Sequence, residues 1–249
     1  MSLLAAVAGG ACAAVAGTMV HGVFAPRSQL YGRVIFRGDR SDPPRVALSF
    51  DDGPHPDATQ RVLDALGELG VKAAFFVIGR NIERAADVVA HAHSEGHLIA
   101  NHTYEHAHLG TLRWRSYWRR EIERTDAIIE QVIGRRPALF RPPMGFKSPP
   151  LCAAARVHRH CLVTWTRRAY DGVHTTTDRI LARLADSAAA GDIMTMHDGI
   201  DRSARRSLDA TVQAVGPLVR AWRARGLEVA RLDELIGLAP YQPGCSETS

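Results

Sequence analysis

The stretch RVALSFDDGPHP, residues 45–56, sets an apolar run against two adjacent aspartates and a Gly-Pro turn. Residues 45–50 read as a buried strand, and Gly53 and Pro54 stop it. A DDGP turn can be no more than a turn, because Asp and Gly suit such positions for backbone reasons alone. The rest of the chain raises this one above that reading. Further short apolar runs at 73–78, 98–100, 139–140, 161–165, 193–196 and 228–230 read as strands. Helical patterns follow most of them: 58–69, closed by Gly70, a segment ending near 94, an arginine-rich helix after 100, one at about 177–189 and one at about 204–225. A proline-rich loop follows 139–140, and a short helix follows the last strand. About seven β-then-α units without a composition break predict a parallel sheet covered by helices. At 249 residues a closed or nearly closed barrel fits as well as a doubly wound sheet.

A barrel would gather the C-terminal ends of its strands at one mouth. Asp51 and Asp52 follow the first strand, His102 the third and Arg141 the fourth; Asp171 lies beyond the fifth and His197 ends the sixth. His102 and His106 are four apart, so on a helix both imidazoles would share a face and reach one metal ion. His93 and His97 repeat that spacing but straddle Gly96, and they read as solvated surface. A catalytic zinc site uses a few imidazole and carboxylate ligands and keeps one position open. One of the two adjacent aspartates can supply the carboxylate, which leaves the other free as a base.

Five stretches, SFDDGP, NHTYEH, RPPMG, WTRRAYD and MTMHD, run in this order from Ser49 to Asp198. Together they resemble the polysaccharide deacetylase family of carbohydrate esterases (the NodB-homology domain, carbohydrate esterase family 4). The resemblance implies an α/β fold, an incomplete or distorted (β/α)7 barrel forming a single catalytic domain at 44–239. It implies a metal-dependent hydrolase that removes acetyl groups from polysaccharide or oligosaccharide containing N-acetylglucosamine, such as peptidoglycan, a chitin-like polymer or a surface glycan, and releases acetate. One divalent metal ion is implied, Zn²⁺ first, with Co²⁺ or another transition metal also suited to the ligands. By the same resemblance Asp52, His102 and His106 form the metal triad, and Asp51 is the general base. Arg141 holds that base and keeps it ionised, His197 is the general acid, and Asp171 is its charged partner. Met144 would offer its backbone N–H to an oxyanion, and Pro143, Gly145, Trp165 and Met196 would complete the substrate wall. The pattern departs from the family at Met144, often aromatic there, at Gly172, often tryptophan, and at Thr195, usually leucine. All three surround the acetyl group or sugar ring, which predicts a wider or more polar pocket.

Two rival readings have visible tests. HTYEH, residues 102–106, also fits H-x-x-E-H, a zinc-protease pattern with Glu105 as base, which needs a continuous helix. A deacetylase-like hydrolase of another amide, or of an O-acetyl ester, keeps the same machinery and changes only the substrate.

The remaining composition bounds partners and place. The net charge of +5 and pI of 9.3 come from arginine, since only Lys72 and Lys147 are lysines. No nucleic-acid module accompanies them, so nucleic acid is not an expected partner. In the basic stretch 113–124 and just beyond, Trp114, Trp118, Ile122 and Ile129 recur at helical spacing, which predicts a core-facing helix with a solvated arginine face. Residues 3–20 are apolar or small and uncharged; within a leader at 1–25 they suit a signal peptide or a membrane anchor, and they predict a secreted or cell-envelope protein. Cys152 and Cys161 can pair or remain free thiols, and 240–249 read as a loose tail.

Overall fold

A computed structural model of the chain describes residues 3–108, 110–201 and 207–243, with the side chains of 3–13 and 111 also outside the description. In chain order the elements are α1 (Leu3–Phe24), β1 (Val34–Ile35), β2 (Arg45–Asp51), α2 (Ala58–Glu68), β3 (Ala74–Val77), α3 (Gly79–Ile82), α4 (Ala86–Ser94), β4 (Leu98–Asn101), α5 (Arg115–Ile133) and β5 (Leu139–Phe140). They continue as α6 (Pro149–Val157), β6 (Cys161–Val163), β7 (Arg167–Arg168), α7 (Thr177–Leu184), β8 (Ile193–His197), α8 (Asp209–Ala224), β9 (Glu228–Val229) and α9 (Leu232–Ile236). Every strand pair is parallel, in the order β1-β6-β5-β4-β3-β2-β8-β7, with β9 pairing the start of β2. The sheet curls into an open half-barrel surrounded by helices, the incomplete barrel expected.

The pleat decides which side chains reach the barrel interior, because alternate residues of a strand point to opposite faces. On β2, Val46, Leu48 and Phe50 join the outer core with Val62, Leu63 and Leu66 of α2 and with α8, while Ala47 joins the inner core. Ser49 and Asp51 therefore follow Ala47 on the inner face. Ala100 of β4, Leu139 of β5, Val163 of β6 and Ile193 of β8 belong to the same inner core. Two residues further along these chains stand His102, Arg141, Trp165 and Thr195, with His197 one step more. A single parity rule thus delivers five separate segments to one mouth. It also corrects the expected place of Met196: with Met194 it lies on the outer face of β8, fully buried in the outer core.

The packed chain extends past 44–239 at both ends. β1 pairs with β6, and Tyr241 bridges to Pro137 while Gln242 bonds the Pro137 and His158 carbonyls. Phe24 meets Phe146 edge-on at 4.8 Å, and buried Lys147 donates to the carbonyls of Ala25 and Pro26. Among the described residues no helix is long and apolar enough to cross a membrane. Residues 1–2 and the side chains of 3–13 in the expected leader, and residues 244–249 of the tail, lie outside the description.

Candidate active site

The mouth opens on a cavity of about 640 Å³ whose wall includes Asp51, Asp52, His102, His106, Thr195 and His197. Strand register sets the first contact: Asp51 lies opposite His197, and Ser49 opposite Thr195. Asp51 is 3% exposed, and its Oδ1 accepts from Arg141 Nη1 at 2.6 Å. Arg141 is wholly buried, so its charge must be matched in place. Its other donors reach Ser49 Oγ at 2.9 Å, the Thr164 carbonyl at 3.1 Å and the Val163 carbonyl at 3.4 Å, and its guanidinium lies 3.9 Å from the Phe76 ring centre. Arg141 thus stands behind the pocket wall and fixes the carboxylate that forms it.

His102 and His106 do converge, though not on a helix. Residues 102–106 form a loop in which Thr103 has φ +69° and His106 φ +52°. Side-chain acceptors hold this turn: Asn101 Oδ1 takes the Thr103 N–H, and Glu121 Oε2 takes those of Tyr104 and Glu105. Asp52, also at positive φ (+70°), directs Oδ1 to within 3.5 Å of His102 Nε2 and 3.3 Å of His106 Nε2. Ligand atoms around a tetrahedral ion with bonds of about 2.0–2.1 Å stand about 3.3 Å apart. Among the described residues Asp52 Oδ1 is moreover buried without a hydrogen-bond partner. An unsatisfied buried oxygen facing two imidazole nitrogens fits a divalent cation. The outer nitrogen of His102 is oriented as a metal-ligating histidine requires, since Nδ1 meets the Arg141 carbonyl at 2.7 Å, while His106 Nδ1 lies 3.4 Å from Asp201 Oδ2 without a hydrogen bond among the described residues. Burial would raise the Asp52 pKa, but the neighbouring imidazoles of His106, His102 and His197 hold it well below the usual carboxylate range.

His197 Nδ1 sits 2.7 Å from Asp171 Oδ1, and Asp171 Oδ2 also accepts from the His197 amide at 2.9 Å and Thr211 Oγ1 at 2.7 Å. Burial disfavours the imidazolium, yet the Asp171 charge and hydrogen bond, with the Asp52 and Asp51 charges, push the His197 pKa up to about 9. Asp171 shows the converse: burial raises its pKa, and His197 with Thr211 more than offsets this, so it lies below the ordinary value.

Met144 lines the cavity at 43% exposure from a left-handed conformation, φ +56°, in the 3-10 turn Pro143–Gly145. Neither Pro143 nor Gly145 lines the cavity. They shape it, since a Cβ on Gly145 would meet the Trp165 ring at 2.6 Å. Trp165 and Gly172 both line it, and a Cβ on Gly172 would lie 3.4 Å from His197 Cε1, so glycine leaves room beside that imidazole.

Several residues escaped sequence reasoning. Thr211 on α8 and Ser49 brace Asp171 and Arg141, and Asp201 lies beside His106 and contacts His108. Asp198 is buried, accepts from Thr59 Oγ1 at 2.6 Å, and is pushed up to about 7 by burial, with the Asp52 and Asp51 charges adding to it. The M-T-M-H-D-G run could have flagged Asp198; nothing local marks Thr211. Gly199 is required because a Cβ there would overlap the Asp52 carbonyl.

Two expectations are corrected. His97 is not solvated: it is 1% exposed, accepts the Ala73 N–H on Nδ1, and burial pulls its pKa down to about 4. Trp114 precedes α5 and is 82% exposed, whereas Trp118, Ile122 and Ile129 do face the core. Cys152 and Cys161 are both free, the first buried and the second exposed. The protease reading fails on geometry, since 102–106 is not helical and Glu105 pairs outward with Arg80 at 3.2 Å. Glu105→Gln is accordingly expected to keep wild-type turnover within about twofold, a surface-scale change; loss of turnover in that variant would reinstate Glu105 as the base.

Comparison with known proteins bears on the same residues. Residues 38–160 match the sequence profile described as polysaccharide deacetylase. A peptidoglycan-N-acetylglucosamine deacetylase of Bacillus cereus is 32% identical over 191 residues, covering 77% of this chain and 68% of that protein. A chitooligosaccharide deacetylase of Bradyrhizobium is 31% identical over 204 residues, covering 80% of this chain and 93% of that one. Among solved structures, a peptidoglycan N-acetylglucosamine deacetylase bound to 4-naphthalen-1-yl-N-oxidanyl-benzamide superposes with TM-score 0.77 at 26% identity, covering 84% of this chain and 95% of that chain. A family 4 carbohydrate esterase from Streptomyces lividans, in complex with acetate, gives 0.67 at 28% identity, over 76% and 93% of the two chains. The half-barrel, the order of the five motifs and this likeness along most of both chains agree that the chain belongs to the polysaccharide deacetylase family of NodB-type carbohydrate esterases.

Proposed function

We propose that the chain is a metal-dependent N-deacetylase of a glycan containing N-acetylglucosamine, acting in the cell envelope or outside the cell. The observation that carries this reading is one cavity whose wall joins Asp51, held by a buried arginine, His197, held by a buried carboxylate, and the Asp52-His102-His106 cluster. When bound by Asp52, His102 and His106, a divalent cation would supply Lewis acidity, making water a better nucleophile and the acetamide carbon a better electrophile.

The chain's own groups do the rest. Asp51, positioned by Arg141, takes a proton from the attacking water. Negative charge then grows on the acyl oxygen, where the Met144 N–H would meet it. The amine leaves only when protonated, so His197 must arrive charged, and Asp171 keeps it so. The C–N bond breaks as His197 gives up its proton, and acetate and a free amine remain. Positive-φ residues Asp52, His106, Met144 and Tyr170 all line this cavity, the placement expected where backbone strain serves a site.

Acetate release from chitin oligomers, peptidoglycan fragments and O-acetylated xylan tests the reading. Metal-loaded protein should release acetate from at least one N-acetylated substrate, and chelated protein should not. Asp52→Ala should also lose stoichiometric Zn²⁺ binding in equilibrium dialysis. Tight metal binding by Asp52→Ala would remove the assigned ligand set, and release from the O-acetyl ester alone would move the chemistry to esters.

A further inference from the structure

A second groove, about 610 Å³, adjoins the reaction pocket and shares Trp165, Arg168 and Tyr170 with it. Its charged lining is Arg27, Arg167, Arg168 and Arg183, with His21 and no acidic residue. Arg167 is neutralised by Asp192 at 2.6 Å. The other three are held by neutral groups. Arg27 Nη2 donates to the Thr166 carbonyl at 2.8 Å, and Arg183 Nη1 to the Ala169 carbonyl at 2.7 Å. Arg168 and Arg183 both lie against the Tyr170 ring, at 4.1 and 5.3 Å from its centre. None of the three forms an ion pair among the described residues. Carbonyls and an aromatic face fix the direction of a guanidinium without cancelling its charge, and fixed guanidiniums favour the paired oxygens of an oxyanion.

We propose that this groove is a subsite for an oxyanion carried by the glycan strand, on a residue next to the N-acetylglucosamine being deacetylated. The proposal rests on the deacetylase reading for the identity of the strand. It adds that the preferred substrate is an anionic glycan rather than a neutral homopolymer. Continuity carries the argument: a strand leaving the reaction pocket past Trp165 and Tyr170 enters the groove directly. Tyr170, at φ +57° and 51% exposed, forms the sill between them.

The test compares a neutral N-acetylglucosamine oligomer with length-matched oligomers whose neighbouring sugars carry a carboxylate in one arm and a phosphodiester in the other. The protein is the metal-loaded chain and Arg27→Gln/Arg183→Gln, both residues lying outside the reaction pocket. Wild type should favour one anionic arm by about tenfold in kcat/KM at low salt, with the advantage fading as salt screens it. The arm favoured identifies the anion. The double variant should lose that advantage and keep its rate on the neutral oligomer, while Arg27→Lys/Arg183→Lys should retain much of it. Equal rates on all arms in wild type, or a parallel fall on every arm in the variant, would overturn the subsite. Calorimetric binding of the same oligomers to Asp51→Asn separates the two readings. Tighter anionic binding that depends on Arg27 and Arg183, without acetate release by wild type, would sink the deacetylase reading and leave the subsite standing. Equal binding of neutral and anionic oligomers would sink the subsite whatever the turnover.

Discussion

Asp51→Asn is expected to lower kcat by about a thousandfold, within the range set by general-base catalysis, while leaving the Asp52-His102-His106 cluster intact. Asn keeps the shape and one acceptor oxygen, so the Arg141 hydrogen bond at 2.6 Å can persist. It cannot take a proton. The same change strips the counter-charge from a guanidinium that is 0% exposed. Arginine does not neutralise by losing its proton, so the charge remains and is unpaired. Breaking a buried pair from one side is expected to lower stability by about 3 kcal/mol, or roughly 6–12 °C in Tm for a domain of this size. Arg141→Met should be worse for folding, since it leaves Asp51 buried without its partner and removes the donors to Ser49, Val163 and Thr164 together. Turnover, Zn²⁺ stoichiometry and Tm measured on the same preparation separate these effects. Asp51→Asn with full Zn²⁺ and more than about a tenth of wild-type turnover would exclude Asp51 as the base, because a general base contributes at least about a hundredfold.

What the sequence showed, and what it hid, follows from the length scale of each signal. Strands β2, β3, β4 and β8 were readable because they are continuous apolar runs buried on both faces, and their parallel order follows from the helices between them. Strands β1 and β7 were not: β1 lies within the polar, proline-bearing stretch 26–44, and β7 is a pair of arginines with no apolar run. Helix α6 hid behind its prolines, although Ser148 caps it by accepting the Leu151 N–H and Pro149 stands at its first turn, where proline is tolerated. The residues that face the reaction were legible as types and motifs. Their supports were not: Thr211 approaches Asp171 across 40 residues and Ser49 approaches Arg141 across 92. The spacing of His102 and His106 pointed to two imidazoles that do converge, but by a different geometry. A helix would supply convergence through its period, whereas here positive φ at Thr103 and His106 supplies it in a loop. Met196 was misplaced because a motif names neighbours in sequence, while the pleat sends Thr195 inward and Met196 outward.

Asp171→Asn should shift the alkaline limb of the kcat/KM profile toward acid. In the folded chain His197 is raised from 6.5 to about 9, against burial, chiefly by Asp171. Asparagine keeps a hydrogen bond but removes that charge, so the imidazole falls back toward its ordinary value. At pH 8 a group titrating at 6.5 is about 3% protonated and one at 9 about 90%, so turnover there should fall roughly thirtyfold; near pH 6 the two proteins should differ much less. The same pair links pH to stability. His197, with its folded pKa raised, stabilises fully below 6.5 and loses that contribution as pH rises through about 9. Asp171, with its folded pKa lowered, stabilises above 3.8 and loses that contribution as pH falls below it. The pair therefore supports the fold between those limits, and Tm measured from pH 4 to 10 should show wild type and Asp171→Asn converging at the alkaline end. A profile whose alkaline limb stays in place in Asp171→Asn would assign that limb to another group and leave His197 without its role as acid. His197→Gln separates the alternatives: it should abolish the limb altogether while the Asp-His-His cluster still binds Zn²⁺.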